Sequence, residues 1–183
     1  MKQQHVLWRT LIVDAALVSS MCLMTAGAWA QEKHNISYSK STRDSQYTQE
    51  HSIEVGDVPG HKVRIFEIHW NYAKGELVFD GVNVKESWVR GMSDYTNTSG
   101  PAMNYIIYVL EDGNKVFSRN AVLTQTPESE GGNKTAKYYA VENLYGGTGK
   151  FSHIRGQLHQ TGSRVLGASA LTLEVRGEYW FDE

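Results

Sequence analysis

The sequence predicts an all-β domain, an eight-stranded antiparallel up-and-down barrel, and three observations carry that expectation. Apolar residues recur with a period of two over successive stretches, and past the first thirty residues no stretch sustains helical spacing. Short sequences rich in Gly, Asn and Asp (VPG, AKG, TNTSGP, EDGN, TPESEGGN and GTGK) separate these stretches. Several stretches are apolar on both faces, so that one face fills a core and the other needs a cover.

Residues 1–30 have the layout of an export signal. Lys2 and Arg9 form a basic start, Leu11 to Met24 is largely apolar, and Ala28-Trp29-Ala30 offers small residues where a signal peptidase cuts. Cleavage is expected before Gln31, giving a secreted or periplasmic product. Asp14 is a charge inside the apolar segment, and that segment is shorter than the ~20 residues that span a bilayer, so no stable membrane insertion is expected. Met21 stands before Cys22 where a lipoprotein signal wants a small residue, which disfavours a lipid anchor. Residues 31–50 are polar with scattered aromatics and read as a flexible arm, leaving 51–183 as the β-barrel domain.

Taking thirty residues from 183 leaves 153, enough for one domain with one core. The single cysteine leaves with the leader, so disulfides, a thiol nucleophile and a thiolate metal site are all excluded from the product. Lys2, Arg9 and Asp14 leave as well, reducing 18 basic and 20 acidic residues to 16 and 19, a formal charge of −3. Nothing in that balance suggests a nucleic-acid partner.

Strands are expected at 51–58, 61–72, 75–84, 86–94, 103–111, 115–125, 135–144, 151–160 and 165–182, the last as two strands. EDGN at 111–114 is the clearest hairpin signal, because Asp-Gly fits the primed turns that match strand twist. In VRIFEIHWNY the apolar phase switches from Val63 and Ile65 to Phe66, Ile68, Trp70 and Tyr72, which reads as a bulge. In MNYIIYVLE either Ile106, Tyr108 and Leu110 or Met103, Tyr105, Ile107 and Val109 must face outward. A second copy of the chain is the expected cover for that wall.

The stretch GGTGKFSHIRG (146–156) lacks the strand-to-helix context of a phosphate-cradling loop, since Lys150 is followed by Phe151 and more strand. Gly146, Gly147 and Gly149 read instead as a tight corner, with Phe151 plugging the core and Gly156 marking a kink or close backbone approach. This run, together with the closing GEYWF (177–181), resembles the glycine-rich corner and last strand of the dirigent and allene oxide cyclase-like barrels, calycin-like eight-stranded folds with bacterial exported members. The resemblance implies a lumen for a small, mainly apolar molecule and a trimer formed through the barrel walls. It also implies chemistry, where there is any, of the isomerase or cyclase kind, which acts by positioning its substrate. The family's catalytic positions have no counterpart in this chain.

Candidates for ligand contact come from the residues themselves. Trp88, Arg90 and Asp94 join aromatic surface to opposite charges, and Tyr105, Arg119 and Tyr139 are similar groups within strands. The plain alternative is an ordinary Arg90–Asp94 ion pair at a strand end. Glu67 with His69, and His153 with His159, alternate with apolar residues as a solvated strand face does. Their spacing falls short of a metal site, and no cofactor motif occurs, so no metal and no cofactor are expected. Asn35, Asn97 and Asn133 begin Asn-x-Ser/Thr triplets, glycan acceptors only in a eukaryotic source. The expected function is therefore ligand binding in the lumen, with an isomerase or cyclase as the alternative and an oligomeric structural module third.

Overall fold

A computed structural model of the protein describes residues 31–127, 134–166 and 170–183. The leader, Cys22, Asn133 and most of the TPESEGGN turn lie outside them. The described chain is all β, with strands β1 (His34–Ser41), β2 (Ser45–Glu54), β3 (His61–Asn71), β4 (Val78–Phe79), β5 (Val82–Thr96), β6 (Gly100–Leu110), β7 (Lys115–Gln125), β8 (Thr135–Gly147), β9 (Ile154–Val165) and β10 (Thr172–Phe181). They pair antiparallel in the order β1-β10-β9-β8-β7-β6-β5-β3-β2, and β4 pairs with β5 off that path. From β5 to β10 each strand lies beside the next in sequence, as the turn sequences predict. The eight expected strands are ten, and the hydrogen-bonded path is open, with β1 and β2 at its two edges.

Those edges are consecutive in the chain. Thr42–Asp44 form one 3-10 turn between them, with the Ser45 hydroxyl donating to the Thr42 carbonyl at 2.8 Å. The turn is tied to the start of β10, because Thr42 N–H donates to the Leu171 carbonyl at 2.9 Å and Leu171 N–H to Thr42 Oγ1 at 2.8 Å. The expected flexible arm is thus corrected to strand. Ile36, Tyr38 and Lys40 face inward on β1, while the intervening Asn35, Ser37 and Ser39 face water.

Inward alternation builds one core. On β7, Val116, Ser118, Asn120, Val122 and Thr124 are buried and the residues between them are not. On β6 the inward set is Ile106, Tyr108 and Leu110, so Met103 and Tyr105 stand exposed outside, with Ile107 and Val109 half-buried. Two expectations fail here. β3 pairs with β5 without interruption from His61 to Asn71, so Val63 and Ile65 are outward apolar residues and not signs of a bulge. The register shifts fall instead between Tyr47 and Gln49, between Val84 and Glu86, and where Phe117 and Ser118 meet β8. Likewise the expected strand at 75–84 is a loop holding the short β4, which turns back through Asp80-Gly81 to pair with the first residues of β5. Its alternating Leu77 and Phe79 are buried as a plug, Phe79 lying 5.7 Å from the Tyr108 ring and 5.5 Å from that of Tyr179.

The glycine corner is closely packed. Gly149 has φ of +55°, where a side chain is disfavoured, and a Cβ there would meet Asn114 Oδ1. Thr148 N–H donates to the Lys115 carbonyl at 2.9 Å and Lys115 N–H to Thr148 Oγ1 at 2.9 Å, fastening the corner to the Asp-Gly hairpin. Phe151 is fully buried beyond it, and Lys150 pairs with Asp80 at 2.7 Å. A Cβ on Gly156 would stand 2.6 Å from the Glu178 carbonyl, the close backbone approach anticipated there.

At the other end, His61 clasps the β2–β3 turn to β5. Its Nδ1 is 2.6 Å from Asp57 Oδ1 and its Nε2 2.7 Å from Asp94 Oδ1. The bond to Asp94, then that to Asp57, raises the imidazole above its ordinary value, while His61 and the Val58 N–H lower Asp57. A raised imidazole stabilises fully below the unfolded value near 6.5 and loses that contribution as pH rises through the folded value. Asp57 sets the acid limit, its contribution fading as pH falls through its lowered value. The difference in thermal midpoint between wild type and His61→Gln is therefore expected to be larger at about pH 5.5 than at about pH 9. A difference independent of pH would contradict the clasp.

Candidate functional site: a mixed cavity within the curled sheet

The inward faces leave a cavity of about 310 Å³, at the small end for sites that hold organic molecules. One side of its wall is apolar, with Phe66, Ile68 and Trp70 from β3, Val89 from β5, Ile106 from β6 and Leu173 from β10. Polar residues complete the lining. Asn104 and Asn120 are register partners on β6 and β7, and Asn104 Nδ2 donates to Asn120 Oδ1 at 2.7 Å. Asn104 Oδ1 is buried with no hydrogen-bond partner and lies over Gly91, where any Cβ would collide with it. Glycine at 91 is what lets that amide lie against the wall.

Beside this pair the polar residues continue into the core. Gln160 lines the cavity and donates through Nε2 to Glu142 Oε2. Glu142 is fully buried and accepts through Oε1 from the Tyr108 hydroxyl at 2.6 Å and the Ser118 hydroxyl at 2.5 Å. Burial, then the Glu142 charge, pushes the Tyr108 phenol well up. Tyr38 is pushed up by burial too, with Tyr72 and Glu142 adding to it, and its hydroxyl has no partner. Tyr72 contacts Ser87 Oγ at 3.2 Å and accepts from Lys40 Nζ at 3.3 Å. Lys40 and Gln160 are thus the points where this polar cluster reaches the cavity.

Among the described residues, the charges lining the cavity are Lys40, Arg64 and Arg164, and no Asp or Glu lines it. Arg64 is stacked 4.9 Å from the Phe66 ring and 5.4 Å from that of Tyr47, and its Nη1 is 3.6 Å from Glu50. Tyr95, 2.5 Å from Thr124 Oγ1, is pushed up chiefly by burial. Among the described residues no His, Cys, Asp and Glu group has the makings of a metal site.

The residues picked from sequence stand elsewhere, because strand parity turns them outward. Trp88, Arg90, Asp94, Tyr105, Arg119 and Tyr139 are all absent from the cavity lining. Arg90 pairs with Glu67 at 2.7 Å, not with Asp94, which is taken by His61. Trp88 stacks on His69 at 4.4 Å, and His69 pairs with Glu86 at 2.9 Å. Tyr105 faces Arg119 across β6 and β7, and Tyr139 lines a shallow outer groove with Leu123 and Val141. The cavity residues that sequence reasoning missed share one signal, a polar residue on the inward phase of an alternating strand. Asn104, Asn120 and Gln160 obey it, as does Glu142, which lies behind Gln160 in the core.

Compared with known proteins, the chain matches no family model, no curated protein and no solved structure.

Proposed function

We propose that the protein is a small-molecule carrier or receptor whose cavity binds a small, mainly apolar ligand. The observation that carries this reading is the cavity itself, which joins an aromatic and aliphatic wall to a few converging polar groups, the composition of an organic ligand site. In the same reading the sheet is an eight-walled barrel of the dirigent and allene oxide cyclase-like type. β1 and β2 count as the two halves of one bent wall strand, and β4 as part of the plug. The three-residue link between the edges and the 6.3 Å approach of the Tyr38 and Tyr72 rings support it. The leader makes the product an exported one.

The test is to incubate the purified protein with a lipid or terpenoid extract and identify retained compounds by mass spectrometry, alongside Ala140→Phe, which fills the cavity from its wall. Wild type is expected to retain a compound that the variant does not. Equal retention, or none, would refute the reading. A chemical change in the retained compound would identify an isomerase or cyclase.

Copies of the chain are further proposed to associate through the outer wall. Ile65, Met92, Met103, Ala121 and Val141 are successive register partners across β3, β5, β6, β7 and β8, forming an apolar row in which Ile65 is 63% exposed and Met103 49%. Leu123 and Tyr139, themselves partners, widen it. An apolar surface continuous over five strands suits another protein surface better than water.

A further inference from the structure

We propose that the ligand is an acid, whose apolar body ends in one anionic head group seated on Lys40. This rests on the reading of the cavity as a ligand site. Lys40 is only 9% exposed, its Nζ lying 4.2 Å from the centre of the Trp70 ring and 5.6 Å from that of Tyr72. An ammonium has three donors, and the Tyr72 hydroxyl takes one of them at 3.3 Å. Lys33, Lys62 and Lys150 each pair with a carboxylate, but Lys40 has no such partner among the described residues.

A buried charge without a counter-charge is costly, and two features of the site keep the protein from supplying one. The fully buried carboxylate, Glu142, already accepts from Tyr108, Ser118 and Gln160. Among the described residues, the cavity lining contains three cations and no acid. Arg64 is turned to Glu50 and to two aromatic rings, and Arg164 is exposed, leaving Lys40 as the one buried cation of the three. An anion entering the cavity would complete the lysine's hydrogen bonds, while its body lay along Trp70, Ile68, Ile106 and Leu173. Lysine acts as a point charge without a planar fork, so it sets the sign of the head group more than its shape.

The probes are 2-naphthoate and its neutral isostere 2-naphthamide, titrated into the purified protein by calorimetry. Naphthoate is expected to bind about tenfold tighter or more, the usual effect of a hydrogen bond to a charged group. Lys40→Met should bring naphthoate down to the level of the amide and leave the amide unchanged, while Lys40→Arg keeps the preference. If Lys40→Met does not fold, the wild-type preference and its survival in Lys40→Arg, Arg64→Gln and Arg164→Gln decide the matter. Equal binding of both probes, abolished by Ala140→Phe, would leave the cavity reading standing and overturn the acid. A preference that survives in a folded Lys40→Met would overturn it too. Binding of neither probe would overturn the cavity reading and the acid together.

Discussion

Glu142→Ala is expected to lower the unfolding free energy by at least about 3 kcal/mol, since three buried donors lose their acceptor and each orphaned group costs roughly 1–3 kcal/mol. Tyr108 and Ser118 are both fully buried, so water cannot easily replace the carboxylate on that side. Glu142→Gln should lose less. Its remaining oxygen can still accept from Tyr108 and Ser118, and only the contact with the Gln160 amide turns donor against donor. Urea titration of the three proteins gives the order directly. An alanine variant within about 0.5 kcal/mol of wild type, the range of ordinary surface substitutions, would mean that the cluster contributes little to stability.

The second large effect concerns mass. Light scattering at micromolar concentration is expected to show an assembly of the wild type and a single chain for Met92→Glu/Val141→Glu. Both substitutions place a carboxylate within the outer apolar row, where association would bury it unpaired. Their side chains point away from the core, so thermal unfolding should change little. A monomeric wild type would refute the proposed contact.

Strands that divide cleanly into a wet and a dry face were legible in the sequence. β7 and β10 alternate without exception over most of their length, and the turns between β5 and β7 carry glycine or asparagine where positive φ is needed. β2 was legible only from residue 51, because nearly all of it is exposed and it carries no apolar phase. β1 was hidden because its inward set ends in Lys40, which reads as solvated until the rings of Trp70 and Tyr72 are brought to it from β3 and its loop. The opposite error occurred at Leu77 and Phe79, whose spacing of two is shared by a strand and by a loop that tucks alternate side chains into a hole. The candidate site was misplaced for a similar reason. Tryptophan, arginine and tyrosine drew attention as chemically versatile side chains, but parity puts asparagine, glutamine and glutamate inside.

The union of the two sheet edges through Thr42–Asp44 bears on how the chain reaches its native state. β1 is the first strand made, and its partner is the last: His34 faces Tyr179 and Ser41 faces Thr172. β5 to β10 can zip hairpin by hairpin, each closing a short loop at little entropic cost. The outermost pairing must wait for the whole described chain and close the largest loop available to it. Until then Ile36, Tyr38 and Lys40 have no wall to face, and the cavity lacks one side. Assembly of the cavity and completion of folding are on this account a single late event, and a chain caught before it would expose the bare edge of β10 to its neighbours.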